Sequence, residues 1–308
     1  MDKGRDMKIE IIEDNAIKYL HKIPSSSVDV VIADPPYNLG KDYGNDSDIK
    51  TFEEYMNFSR QWIKESYRIL KNTGTIYIFI GVRFISYLFS ILEKDYNFLF
   101  NSWITWHYTQ GIGKTRGFSP RHDDILMFTK SNNHKFYLDN VRIPQKYYRS
   151  VNNMRGANPG DVWTFSHVHY CNANRQLHPT QKPEALIERM VLASSDENDL
   201  IVDPFSGSGT TLRVCQQLNR NCIGIELNPE YVKLTMERLE QPFEGFDSID
   251  ERMWRIPNDL NDSQIRDEYL DNHKAWFFKF HPNVIETFEN EVKIKYSKKN
   301  TVLGLFDN

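Results

Sequence analysis

The sequence predicts an α/β fold, a sheet of parallel strands joined by crossover helices and interrupted once by an irregular basic segment. Three observations carry this. Short β-branched runs, Val28–Ala33 (VDVVIA), Thr75–Ile80 (TIYIFI) and Leu200–Asp203, read as buried parallel strands. Segments with apolar residues at helical spacing, Phe52–Leu70 and Thr210–Leu218, follow two of them. Two of the strands run out into turns rich in Pro or Gly, at Asp34-Pro35-Pro36-Tyr37 and Asp203-Pro204-Phe205-Ser206-Gly207-Ser208-Gly209.

In chain order, a first strand ends at the Glu13-Asp14 turn, and Val28–Ala33 opens at Asp34 into a loop. Asn72-Thr73-Gly74 is expected to stop the Phe52–Leu70 helix before the strand Thr75–Ile80. A helix over Phe84–Leu92 and a strand over Phe98–Trp106 follow. From His107 to about Gln176 the periodicity breaks down, and only Ile125–Thr129 is strand-like. Alternation resumes with a helix over Pro183–Ser194, Pro183 lying near its first turn. Then come Leu200–Asp203, the helix Thr210–Leu218, the strand Cys222–Leu227 and the helix Pro229–Leu239. After Gln241 the signal fades, and Trp276–Phe280 is its only clear apolar cluster. The expected organisation is therefore 1–106, 107–176, 177–240 and 241–308, the last of unassigned role.

The chain of 308 residues, 40% hydrophobic and 26% charged, has the composition of an ordinary globular protein. No apolar run reaches the roughly 18 residues that span a bilayer, and the charged segment Met1–Glu10 has no apolar signal core. A cytoplasmic location without membrane attachment is expected. Three cysteines without a CxxC pair, Cys171, Cys215 and Cys222, exclude a disulfide framework or a Cys-based zinc site. His167, His169 and Cys171 alternate like ligands on one strand face, but no fourth ligand follows, so no metal is expected. The net charge of −4 conceals an asymmetry: His107–Lys182 carries 11 Lys/Arg against 4 Asp/Glu, whereas Gln241–Asn308 carries 9 against 13. A local basic surface is what phosphate binding requires.

The glycine-rich turn after Leu200–Asp203 lets backbone approach a ligand closely, and the helix start behind it favours negative charge. Glu226 ends the next strand, 17 positions after Gly209, where a carboxylate can accept from both hydroxyls of a ribose. A nucleoside-bearing cofactor is indicated. Leu212 stands where a nicotinamide fingerprint wants a third glycine, which disfavours an NAD-dependent oxidoreductase; a glycine-rich turn without a cofactor is the plainer alternative. At Asp34-Pro35-Pro36-Tyr37, two prolines stiffen the strand exit and remove N–H donors. An acid, a fixed carbonyl and an aromatic face there suit a planar heterocycle bearing an amine; a solvated Pro-rich strand exit is the alternative.

Together these segments resemble the DNA amino-methyltransferases that act on adenine N6 or cytosine N4. Asp34-Pro35-Pro36-Tyr37 matches their catalytic motif, Asp203–Gly209 with Thr210-Thr211 their cofactor loop, and His178-Pro179-Thr180-Gln181-Lys182-Pro183 the segment leading into it in the permuted β group. The motif order is that of the same group, and the resemblance covers about residues 7–240. It departs at His122-Asp123, where the family often has His-Glu, which leaves the role of that pair open. The implied fold is a Rossmann-like methyltransferase sheet with helices on both faces, an inserted target-recognition region over 107–176 and a C-terminal extension. The implied activity is site-specific transfer of methyl from S-adenosylmethionine to adenine N6 in double-stranded DNA, as part of a restriction-modification system.

Asp34, Pro35, Pro36 and Tyr37 are then the catalytic candidates, with Asp34 and the Pro35 carbonyl accepting from the amine and Tyr37 stacking on the flipped base. The resemblance places Phe205, Gly207 and Gly209 around the cofactor with Asp203, puts Glu226 on its ribose and Asp14 near its adenine, and makes Thr180 and Lys182 candidates for its methionine end. DNA contacts fall to Lys114, Arg116, Arg121, Arg142, Lys146, Arg149, Arg155 and Arg175, interleaved with Tyr147, Tyr148, Trp163 and Tyr170. Further candidate partners are a cognate restriction endonuclease and a second copy of the chain. Cytosine-N4 is the rival target; RNA as substrate and a catalytically silent nucleic-acid-binding subunit are further alternatives. Cytosine-C5 chemistry is excluded because none of the three cysteines follows a proline.

Overall fold

A computed structural model describes residues 7–38, 51–109, 113–143, 156–166 and 181–242. Two compact units divide the chain, Met1–Phe136 with Asp161–Ser248 and Tyr137–Gly160 with Ile249–Asn308. The described part of the second holds a 3-10 turn over Leu138–Asn140 and a short antiparallel bridge between Ile143 and Ala157, where Arg142 binds Asp139 and the carbonyl of Gly156.

The first unit holds an eight-stranded sheet. Its strands are β1 (Ile9–Glu13), β2 (Val28–Ala33), β3 (Leu70–Ile80), β4 (Leu99–His107), β5 (His122–Thr129), β6 (Val162–Thr164), β7 (Leu200–Asp203) and β8 (Asn221–Glu226), in the spatial order β1-β8-β7-β2-β3-β5-β4-β6. All six residues of β2 are buried, so both faces of the sheet are covered at its centre. The helices are α1 (Ala16–Leu20), α2 (Phe52–Ile69), α3 (Ile85–Ser90), α4 (Glu184–Ser194), α5 (Thr210–Gln217) and α6 (Pro229–Glu240). Five of them form two contacting groups, α1 with α2 and α4 with α5 and α6. Local chemistry starts them: Thr51 and Glu54 form a reciprocal capping box before α2, and Asn228 caps α6 ahead of Pro229.

The sheet departs from the expected parallel arrangement at one strand. β5 runs antiparallel to both β3 and β4, while the other pairs are parallel. The connection from β4 to β5 has no helix among its described residues, and a parallel return needs a crossover, usually helical. Asn72-Thr73-Gly74 is not a stop either. α2 passes directly into β3 at Leu70, and Gly74 lies inside the strand, where a Cβ would come within 2.8 Å of Leu70 Cδ2 and 3.1 Å of the Asp29 carbonyl. β5 starts earlier than its apolar run, at His122, and the Phe84–Leu92 helix becomes α3 followed by a π-helical turn over Ile91–Asp95. Two elements were not anticipated: α1, and the edge strand β6, whose Trp163 lies 5.1 Å from the buried guanidinium of Arg189.

A buried arginine joins the C-terminal helices to the loop that follows β7. Arg238, 4% exposed, binds Glu184 at 2.5 Å, the Ser208 carbonyl at 3.0 Å and Thr210 Oγ1 at 3.0 Å. Three segments distant in sequence meet on one side chain. Replacing it by a neutral isostere takes away the cation against which Glu184 is buried, and breaking one side of such a pair costs about 3–5 kcal/mol. Arg238→Met should therefore lose stability of that order in urea unfolding; a loss below about 1 kcal/mol would show that the clasp behaves as a surface pair.

Candidate active site

Register brings the chemistry to one rim. β2 pairs with β7 through Val30↔Ile201 and Val31↔Val202, and β7 pairs with β8 through Asp203↔Gly224. The three strands point the same way, so Asp34, Asp203 and Glu226 emerge together at their carboxyl ends, where open α/β sheets bind ligands. A cavity of about 250 Å³ opens there. Asp34, Pro35, Pro36 and Tyr37 line it, and so do Asp14, Lys182, Asp203, Phe205, Gly207 and Glu226. The two motifs separated by most of the chain thus share one pocket.

Each acid is held differently. Glu226 accepts at both oxygens, from the N–H of Gly207 and of Asn228, each at 2.8 Å, and burial pushes its carboxyl up. Asp203 is buried, and loss of solvent raises it to about 7, with the charges of Asp34 and Glu226 pushing the same way. Hydrogen bonds from Thr211 and from the N–H of Phe205 only partly offset this. Asp34 accepts the ammonium of Lys182 at Oδ2, whereas its Oδ1 is buried and accepts no hydrogen bond among the described residues. Asp14 is engaged on both oxygens, with the N–H of Asn15 and with Lys22, each at 2.8 Å; the Lys22 bond is the main reason its carboxyl lies below the usual range.

The glycines set the wall. Gly209 caps α5 with φ +74°, and a Cβ there would run into Thr235 of α6, so it packs the loop down rather than lining the cavity. Phe205 lies edge-on to Trp62 at 5.5 Å and 5.9 Å from Phe58, which joins it in the cavity lining. Phe58, Ile187 and Tyr231 line the pocket and were not found from sequence, because each lies on a helix whose periodicity reports only packing. Of the DNA-contact candidates, Lys114 and Arg116 are exposed, Arg121 is half-buried, and Arg142 is engaged with Asp139 and Gly156. Thr180, Arg149, Arg155, Arg175, Lys146, Tyr147, Tyr148, Tyr170, His167, His169, Cys171 and the Trp276–Phe280 cluster lie outside the described residues. His122 stands opposite His107 across β5 and β4, and neither His122 nor Asp123 lines the cavity.

A family model described as DNA methylase, of the N6/N4 methyltransferase type, matches residues 28–237. The chain belongs to this DNA methylase family. It is 62% identical to type II methyltransferase M.HpaI of Haemophilus parainfluenzae over 296 residues, 96% of this chain and 94% of that protein. It is 36% identical to DNA adenine methyltransferase YhdJ of Escherichia coli (strain K12), over 75% of this chain and 82% of the relative. Among solved structures, the complex of M1.HpyAVI with S-adenosylmethionine aligns with a TM-score of 0.52 at 28% identity, covering 75% of this chain and 100% of that one. PvuII DNA methyltransferase, cytosine-N4-specific, aligns at a TM-score of 0.61 over 88% of this chain and 96% of its own; at 18% identity it attests the fold.

The cofactor of this DNA methylase is S-adenosylmethionine, and the pocket fits it. Backbone N–H groups hold Glu226 at both oxygens, which fixes a carboxylate in the cavity wall as an acceptor for a vicinal diol. Among the described residues, neither cysteine serves a cytosine-C5 route: Cys215 and Cys222 are fully buried, neither lines the cavity, and burial pushes the Cys222 thiol well up.

The raised Asp203 makes stability depend on pH. Between its ordinary value near 3.8 and about 7, the folded chain holds a proton that the unfolded chain has released, so this group's contribution to stability falls as pH rises through that window and is level above it. Asp203→Asn should flatten the decline of Tm between about pH 5 and about pH 7 relative to the unaltered chain. Parallel curves for the two proteins across that range would rule the buried acid out.

Proposed function

We propose that this DNA methylase transfers a methyl group to N6 of adenine at a specific sequence in double-stranded DNA. The observation that carries the reading is the buried Oδ1 of Asp34, which accepts no hydrogen bond among the described residues, in the pocket that Pro35, Tyr37 and Glu226 also line. An exocyclic amine is a poor nucleophile because its lone pair is delocalised into the ring. Donation from its two N–H groups to Asp34 and to the Pro35 carbonyl draws the nitrogen towards tetrahedral geometry and offsets the positive charge that grows on it. Asp34, directly or through water, then takes the surplus proton. Tyr37, 7% exposed, offers the stacking face for a base rotated out of the duplex. S-adenosylmethionine supplies a methyl already activated on its sulfonium. Glu226 holds the ribose, and the turn around Phe205 and Gly207 closes on the rest.

Adenine is favoured over cytosine-N4 by the aspartate at position 34, which leans to adenine in this family, and by the relative named as an adenine methyltransferase. Residues 107–176 are assigned to sequence reading, with Lys114, Arg116 and Arg121 on phosphates; residues 241–308 form an extension outside the matched family region. The names of the type II relatives support a restriction-modification setting; a cytoplasmic location, a cognate endonuclease and self-association as a homodimer belong to the same reading.

Expression in a host free of DNA methylation, followed by single-molecule sequencing, should reveal N6-methyladenine at one recurrent sequence. Asp34→Ala should abolish the mark while still binding S-adenosylmethionine; N4-methylcytosine in its place, or an undiminished mark in the variant, would overturn the assignment. Glu226→Ala should weaken cofactor affinity by about 1–3 kcal/mol, the worth of hydrogen bonds to a charged group. Calorimetry that finds equal affinities would remove Glu226 from the ribose site.

A further inference from the structure

Lys182 belongs to the segment that leads into α4, and the structure puts its ammonium on the reacting side of the pocket. Nζ donates to Asp34 Oδ2, and it stands 5.7 Å from the centre of the Tyr37 ring and 5.1 Å from that of Phe79. The Lys182 side chain is 10% exposed and that of Asp34 22%. We infer that Lys182 is a positioning residue for methyl transfer: it pins one oxygen of Asp34 so that the other faces the incoming amine. The inference rests on the reading of Asp34 as the acceptor for that amine.

Two features support it. The first is the division of labour on the carboxylate. A carboxyl group at a strand end rotates about one bond, so fixing Oδ2 also fixes where Oδ1 points. Oδ2 is taken by the ammonium, and Oδ1 is the buried oxygen left for a donor. The second is the frame that holds the lysine. Thr210 Oγ1 donates to the Lys182 carbonyl at 3.3 Å. Arg238 grips the same hydroxyl, the carbonyl of Ser208 and the carboxylate of Glu184, two residues beyond Lys182. The backbone of Lys182 is thus tied to the cofactor loop and its side chain to the catalytic carboxylate, 148 positions away in sequence. The carboxyls of Asp34 and Asp203 repel each other, and a cation on Asp34 also opposes its displacement by that repulsion.

A lysine here has a second candidate partner, the carboxylate at the methionine end of the cofactor, and the two roles give opposite kinetics. Lys182→Met and Lys182→Arg are compared with the unaltered chain on duplex DNA carrying its mapped recognition sequence. Calorimetry reads S-adenosylmethionine affinity, and single-turnover assays at saturating cofactor read the transfer rate. Positioning predicts that Lys182→Met loses about 100-fold in rate, the scale of an ångström's misplacement, with cofactor affinity changed less than about threefold. Lys182→Arg, which keeps a cation within reach of Oδ2, should recover at least about tenfold of that loss. A full transfer rate in Lys182→Met, a fall confined to cofactor affinity, or no rescue by arginine would each overturn the inference. Asp34→Asn separates the underlying reading: if it is inactive while Lys182→Met is fully active, only the role of Lys182 fails, and if it is fully active, the assignment of Asp34 fails as well.

Discussion

Three carboxyl groups delivered to one rim by adjacent, buried, parallel strands cannot all remain charged in a small cavity without separate compensation. The functional half of the molecule is arranged around that constraint. Burial pushes the Glu226 carboxyl up, and backbone N–H groups from the loop on one side and the start of α6 on the other partly offset this. Asp203 is shifted up by burial to about 7. Asp34 is given a lysine. These three solutions divide the work among the acids. One is suited to hold a diol, one holds the loop through Phe205 and Thr211, and one is suited to meet a developing positive charge.

The same geometry requires close packing behind the loop. Gly209 and Gly224 approach their neighbours so tightly that a Cβ on the first would meet Thr235 and one on the second would lie 2.8 Å from Ser206 Oγ. The Arg238 clasp occupies the space beneath, bonding carbonyl, hydroxyl and carboxylate at once. A guanidinium suits this place because its planar fork serves several acceptors in fixed directions, which an ammonium cannot do.

How much of this was legible in the sequence follows from range. β2, β7 and the helices α2, α5 and α6 were readable because burial on both strand faces and amphipathic spacing are properties of contiguous residues. The pocket itself was readable because Asp34–Tyr37 and Asp203–Gly209 each lie at a strand exit, and parallel strands bring their exits to the same side. The direction of β5 was not, because Ile125–Thr129 reports burial and is silent on whether the chain arrives by a crossover or a return. α1 and β6, at five and three residues, are too short to display a period. Gly74 looked like a helix stop, although its cause is the approach of Leu70 and Asp29 from elsewhere in the fold. The motif of Lys182 places it in this pocket, but its contact with Asp34 was not legible, since nothing local says which of several acids a long side chain will reach.

The asymmetry of Asp34 also bears on why the site acts on an amine. A carboxylate open at both oxygens would attract any cation or any pair of donors. With Oδ2 filled and Oδ1 accepting no hydrogen bond among the described residues, the proposed occupant brings one donor to Oδ1 and another to the carbonyl of the adjacent Pro35, on a flat body that can lie against Tyr37. An exocyclic amine on an aromatic ring meets all three demands. A ring carbon meets none of them, and the cysteines among the described residues, Cys215 and Cys222, are buried away from the cavity. On the proposed reading of Asp34, nitrogen is selected over carbon by which acceptors the site presents, before any contact with the rest of the DNA.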